Sequence, residues 1–410
     1  MVVIRFAFSL ATVLTVCPPI IPGPLSSHAR EAVQTIRELR AIGLPGPEDL
    51  ENGPPAEVPG LLRRLNQELR ELVVETFNDR TRRGVPGEEE IIEQLRKAGW
   101  EEVPDHRWNA YGEIVDISFD FESGYDPVIL VVSTRLWIPC GSSDPDSAIY
   151  VFRGRARKWG LLMAADADFD SQGTAPDSGI RFRLSPADSK GNWFLAVAHT
   201  PPSCRLASSN LRYKILRPGS SPDKPVTLLD RRDLIDPKFD PPFEIRVEED
   251  WFAVTRGKRR KLDGEQGVAI DRFEVKDQQV KRTHPLALWP EDFLDEWVQL
   301  GWDEAAQWSD RFKLGSIQGW HSQLHNLESD STEIRVVQPC PKQQALNERW
   351  MIELWTDHQM NPTVKEDEFY IEVSRKQGIF YVDGIQATRP SGCPGNMPPT
   401  QLPDWKLPSW

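Results

Sequence analysis

The sequence predicts a mainly β protein made of repeated four-stranded antiparallel meanders, propeller-like or sandwich-like, with helical additions. Three observations carry this. After Trp108 the hydrophobic period changes from helical to two, the spacing of a strand with one face buried. The alternating stretches fall in groups of four joined mostly by short turns, which makes neighbouring strands antiparallel. The first two groups also share positions: Pro139-Cys140 and Pro202-Ser203-Cys204 close their second strands, and Tyr150 and Tyr213, then Arg153 and Arg217, follow in their third. A repeated meander is the signature of a propeller-like or other stacked-sheet architecture, with a β-sandwich as the competing outcome.

Residues 1–29 read as a secretory signal. Arg5 supplies the positive start, Phe6 to Val16 is an apolar run of signal length, and Ser27-His28-Ala29 offers a small-x-small cleavage site. The run is too short for a stable transmembrane anchor, which needs about 20 apolar residues. Lipidation at Cys17 is disfavoured, because Val16 is too large for the position before a lipidated cysteine.

Residues 30–100 form a helical segment. REAVQTIRELRAIG is amphipathic and stops at Gly43, and residues 44–60 read as a Pro- and Gly-rich linker. In the next helix Leu62, Leu65, Leu69, Leu72 or Val73, and Phe77 make one stripe. GEEEIIEQLRKAGW is a third helix, acidic at its start and basic at its end, as the helix dipole favours.

The β-repeat domain spans residues 108–288. Its first group is IVDISFDF, PVILVVSTRLWIPC, SAIYVFRG and KWGLLMAAD. The second is GIRFRLSP, NWFLAVAHTPPSC, LRYKILRPG and PVTLLDR. The third is FEIRVEE, WFAVTRG, DRFEVKD and QVKRTHPLAL. A helical insertion follows at 289–327, with Pro290 at a first helical position and Phe293, Trp297 and Leu300 on one face. The C-terminal β unit, 328–394, supplies TEIRVVQPC, WMIELWTDH, EFYIEVSRK and GIFYVDGI, and residues 395–410 are a Pro-rich tail.

The balance of charge excludes some partners. With 62 acidic and 49 basic residues the net charge is −13, which argues against nucleic acid and anionic membranes. The dense basic run Arg256 to Lys261 (RGKRRK) is then expected to be a solvated hairpin tip. Most of the 15 tryptophans are expected in the core, with a sugar-binding platform as the alternative use.

Export makes disulfides the natural use of Cys140, Cys204, Cys340 and Cys393, with three connectivities open to four cysteines. Equivalent strand ends in adjacent repeats favour Cys140 with Cys204, and exclusion then pairs Cys340 with Cys393. Cys140-Gly141-Ser142-Ser143 has the start of a papain-type nucleophile motif but not its end. Ser143 stands where that motif has its second cysteine, and Asp144 stands where it has an aromatic.

Two further patterns concern metals. Asp166, Asp168, Asp170 and Asp177 match positions 1, 3, 5 and 12 of a calcium loop, although Ser171 replaces the glycine at position 6. His321 and His325 lie one helical turn apart, with Glu328 as a third zinc ligand. Ser322, however, occupies the place of the glutamate base of zinc peptidases. The favoured reading is no cofactor, with calcium as the alternative. No nucleophile elbow, phosphate loop or dinucleotide motif is present, so no catalytic residue is assigned.

WIPCGSSD, TPPSC, PLALWPEDFLDEW and GCPG together resemble a group of secreted bacterial β-rich proteins with no known activity. The resemblance implies export and a β-rich body, and it carries no functional residue to this chain. The expectation is a secreted or periplasmic, non-enzymatic binding or structural module. Its ligand would be extracellular or in the envelope, a glycan or an envelope component. A carboxylate-dependent hydrolase working in a cleft of the β scaffold is the alternative.

Overall fold

The computed structural model describes residues 25–43, 54–78, 87–102, 110–122, 124–138, 146–155, 158–166, 180–200, 209–236, 243–326, 332–337, 348–356 and 368–388. Four antiparallel four-stranded sheets follow one another along the chain. The first holds β1 (Ile114–Glu122), β2 (Ile129–Leu136), β3 (Asp146–Arg155) and β4 (Lys158–Asp166). The second holds β5 (Arg181–Leu184), β6 (Leu195–His199), β7 (Ser209–Ser221) and β8 (Lys224–Ile235). The third holds β9 (Phe243–Val247), β10 (Trp251–Arg259), β11 (Gln266–Lys276) and β12 (Gln279–Leu286). The fourth holds β13 (Thr332–Val337), β14 (Glu348–Thr356), β15 (Glu368–Lys376) and β16 (Ile379–Gln386). Each is a simple meander, so the four groups read from hydrophobic alternation are the four sheets.

Alternation also sets the layers. Leu130, Val132, Tyr150 and Phe152 turn one face of the first sheet to the N-terminal helices. Ile129, Val131, Ile149 and Val151 turn the other face to Trp193, Leu195 and Val197 of the second sheet. The second sheet's opposite face, with Phe194, Ala196 and Tyr213, meets Phe243, Phe252 and Phe273 of the third. Period-two sequence in a sheet covered on both sides therefore builds two separate apolar layers per sheet.

Helices close this stack. α1 (Ser27–Ile42), α2 (Val58–Asn78) and α3 (Glu88–Lys97) cover the free face of the first sheet. The predicted stripe of α2 is fully formed: Leu62, Leu65, Leu69, Leu72, Val73 and Phe77 are all buried. α2 starts at Val58, so Pro59 and Gly60 belong to its first turn rather than to the linker. Gly43 stops α1 at a φ of 79°, where a side chain would be strained.

α1 also reaches back across the expected signal boundary. Ser26 caps it by accepting from the amides of His28 and Ala29, and Ala29 is buried. A cut after Ala29 would remove both.

The helical insertion is α4 (Pro290–Gln299), the short α5 (Trp302–Ala305) with a 3-10 turn at Ala306–Trp308, and α6 (Leu314–His325). α4 packs on β11 and β12 and shares one core with the fourth sheet, in which Trp297 is wholly buried and Phe293 stacks on Phe380 at 5.5 Å. The order of layers is thus helices, three sheets, helices, fourth sheet. The face of the first sheet that a closed ring would offer to the fourth is occupied by α1–α3.

The repeat is one of topology rather than of side-chain position. Tyr150 points toward the N-terminal helices and donates to Asn66 O at 2.8 Å. Tyr213 points the other way along the stack, toward the third sheet, and donates to Asp233 Oδ2 at 2.6 Å. Each layer is filled by its own set of residues, so matched letters need not occupy matched places.

Candidate functional site

β1, β5 and β9 are the first strands of three meanders, and each lies at an edge of its sheet. Stacking brings these edges to one side of the molecule around a cleft of about 610 Å³. Asp120 of β1, Arg181 and Arg183 of β5, Glu244 and Arg246 of β9, then Glu248 and Trp251 line it, with Ile180, Phe182, Ile245 and Val247.

Local sequence explains the lining. In RFRL, Phe182 and Leu184 pack into the layer against the first sheet, which leaves Arg181 and Arg183 on the opposite face. In FEIRV, Phe243 and Ile245 enter the layer against the second sheet, which puts Glu244 and Arg246 on the other side. Arg181 ties the two edges together. Its guanidinium donates to Phe243 O at 2.8 Å and lies 4.9 Å from the Phe243 ring centroid. Trp251 is half-buried, and the Arg272 guanidinium sits 4.5 Å from its ring centroid. Charged side chains on edge strands also discourage pairing with other chains, which is the purely structural use of this pattern.

Chemically the cleft carries three guanidinium groups, three carboxylates and an indole on rigid strands. Guanidiniums only donate and carboxylates only accept, so such a surface satisfies hydroxyl groups, which do both. An aromatic face meets the apolar face of a ring. None of these seven residues was singled out from sequence. The available signal was alternation of charged and apolar residues in the opening strand of a meander, as in Arg181-Phe182-Arg183 and Glu244-Ile245-Arg246.

The structure corrects the reading of Arg256 to Lys261. The run enters the turn between β10 and β11, but its alternate residues point inward. Arg256, Lys258 and Arg260 have side chains 13%, 11% and 12% exposed, against 65% for Arg259. Arg256 meets Asp271 at 3.3 Å and Asp233 at 3.6 Å. Lys258 binds Asp295, and Arg260 binds Asp263 at 2.8 Å. The inward residues Arg256, Lys258 and Arg260 are buried ion-pair partners, because their carboxylates arrive from β8, β11, α4 and the turn itself.

His321 and His325 do share a face of α6, with ring centroids 5.8 Å apart. Their nitrogens face carbonyls of α4: His321 Nε2 lies 3.2 Å from Trp297 O and His325 Nδ1 lies 2.7 Å from Val298 O. Burial lowers the His321 imidazole below its ordinary pKa. The pair clasps α6 to α4, and Glu328 lies outside the described residues.

Among the described residues, His28, Glu31 and Glu68 bring three ligand atoms within 4.8 Å of one another. His28 Nδ1 is 2.9 Å from Glu68 Oε2. Burial pulls its imidazole down, but the hydrogen bond and the charges of Glu68, Glu75 and Glu71 raise it overall. This is a histidine–carboxylate clasp between α1 and α2.

Cys140, Cys204, Cys340 and Cys393 lie outside the described residues, as do Asp168, Asp170 and Asp177. The backbone of Asp166 closes β4.

No protein-family model matches the sequence, and no curated protein does. The protein is similar to the solved structure of a BT0996 RGII complex, with 9% identity over 66% of this sequence and 73% of that one and a TM-score of 0.24. It is also similar to the crystal structure of a thermostable family-43 glycoside hydrolase, with 8% identity, 70% and 80% coverage and a TM-score of 0.23. Neither likeness bears on the residues of the cleft.

Proposed function

We propose that the protein is an exported carbohydrate-binding module whose ligand lies in the cleft along β1, β5 and β9. The observation that carries this reading is the lining itself: Trp251 beside paired donors and acceptors from Arg181, Arg183, Arg246, Asp120, Glu244 and Glu248. Sugar rings present hydroxyl edges and an apolar face, which is the pattern this surface complements. The test is isothermal titration calorimetry against a panel of neutral and acidic oligosaccharides, followed by the same titration with Trp251→Ala. Binding that drops at least about tenfold in the variant, with thermal unfolding unchanged, supports the reading. No binding by the wild-type protein to any member of the panel sinks it.

A second reading is favoured by one feature of the same cleft. Asp120, Glu244 and Glu248 place three carboxylates on it, and glycoside hydrolysis needs a pair flanking the scissile bond. Release of reducing ends that is lost in both Glu244→Gln and Glu248→Gln, with binding kept, would establish hydrolysis. No release from any ligand that binds would leave a binding module.

Export belongs to the same proposal, with one refinement from the fold. Ser26 and Ala29 are built into α1, so the leader is released upstream of Ser26 rather than after Ala29. Mass spectrometry of the exported protein's N-terminus decides this. A mature chain beginning at Arg30 would refute it.

A further inference from the structure

We infer that the first turn of α4 is a proton-gated joint: Asp292 must carry a proton for the third sheet and the helical layer to close on each other, and its ionisation loosens the fourth sheet from the three-sheet stack. Asp292 is 1% exposed. Its Oδ2 accepts from the Val268 amide at 3.2 Å, while Oδ1 has no hydrogen-bond donor among the described residues. A Cβ added at Gly267 would overlap Oδ1, so the carboxyl is pressed against bare backbone. Its neighbour Glu291 is 4% exposed, and Glu291 Oε2 has no donor among them either.

The charges facing this spot do not balance. From β10 and its turn come Lys258, Arg260 and Asp263; from α4 come Glu291, Asp292 and Asp295; β11 offers the Val268 amide and the bare Gly267. On β12, Arg282 is engaged with Glu296 and Asp271. Arg260 is committed to Asp263 through two hydrogen bonds, at 3.0 and 2.8 Å, and stands 3.5 Å from Asp292 and 3.9 Å from Glu291. Lys258 is committed to Asp295. Among the described residues, two cations thus face four carboxylates in a place closed to water. The helix N-terminus favours anions here, but burial outweighs it and pushes Asp292 up to about 7 and Glu291 upward.

The location makes the proton matter. α4 is the element shared by β11 and β12 on one side and by the fourth sheet on the other. An ionised Asp292 leaves a buried charge at the contact with β11 whose nearest cation, Arg260 at 3.5 Å, already serves Asp263, and separation of α4 from β11 admits water to it.

The test is hydrogen exchange by mass spectrometry on the full chain, corrected for intrinsic rates, as pH rises from about 5 to about 8. Wild-type protection in 262–268 and 290–299 should fall at least about tenfold relative to α2, and Asp292→Asn should show no such fall. Unchanged wild-type protection, or the same fall in the variant, overturns the proposal. Should the variant not fold, difference infrared spectroscopy gives a second reading. A protonated-carboxyl stretch present at about pH 5, lost by about pH 8 and still seen in Glu291→Gln supports the joint. No such stretch at about pH 5 in the wild type, or its complete loss in Glu291→Gln, refutes it.

Discussion

Asp271 and Asp292 are each 1% exposed and lie on neighbouring elements, yet their carboxyl groups are shifted in opposite directions. Burial pushes Asp271 up as well, but Arg256, Arg282 and Arg231 outweigh it and hold the carboxyl below its ordinary range. Arg282 Nη2 stands 2.8 Å from it and Arg256 Nε 3.3 Å. At Asp292 the nearby guanidinium of Arg260 already serves Asp263, and Glu291 adds a like charge. Depth of burial is the same in both places. What differs is the surrounding charge, three arginines at Asp271 against Arg260, Lys258 and the like charge of Glu291 at Asp292, and that balance decides the sign of the shift.

The largest expected effect comes from emptying the first site. Asp271→Ala leaves Arg256 and Arg282 buried without their shared anion and should cost about 3–5 kcal/mol, read from urea denaturation near neutral pH. A loss below about 1 kcal/mol would mean that the arginines find water or other partners, and the contrast with Asp292 would weaken.

Next is the pH dependence of Asp292. Its carboxyl is raised from 3.8 to about 7, so between those values the folded state holds a proton that the unfolded state has released. Stability contributed by that proton is complete below about pH 4 and is lost as pH rises to about 7, by up to about 4 kcal/mol. Asp292→Asn should flatten this segment of the stability curve and be more stable than wild type at about pH 8. Asp271 has the opposite sign: its contribution is present above the ordinary carboxylate range and disappears as pH falls through its lowered value.

Gly267→Ala sharpens the steric half of the comparison. The new methyl meets Asp292 Oδ1 and stands 2.8 Å from Arg260 Cγ, so a cost of about 1–3 kcal/mol is expected from chemical denaturation. The smallest effect belongs to Arg259→Ala. Its side chain is 65% exposed and 3.8 Å from Asp236, and the change should stay within about 0.5 kcal/mol. Equal losses in Arg259→Ala and Arg256→Ala would contradict the inward and outward alternation of the run.

Much of the fold was legible because strands with a buried face leave a strong trace in sequence. Each strand from β1 to β16 overlaps a stretch read from alternation, and α2 buries the stripe read from its spacing. The site was less legible. Arg181, Arg183, Glu244 and Arg246 alternate visibly with apolar residues, but three edge strands from different meanders had to meet before they became a cleft. Arg256 to Lys261 misled for a related reason. A dense basic run reads as surface when its partners are unknown, and Asp295 and Asp271 lie 37 and 15 residues away from Lys258 and Arg256.

The sequence by itself determined which residues form strands and helices and which of their faces are apolar, since period and local stop signals are properties of neighbours along the chain. Tertiary structure decided which charges share a buried site and which edges enclose a cleft. It also decided that Tyr150 and Tyr213 point opposite ways. Coulomb energy and desolvation depend on distances through space, and residues far apart in sequence set those distances.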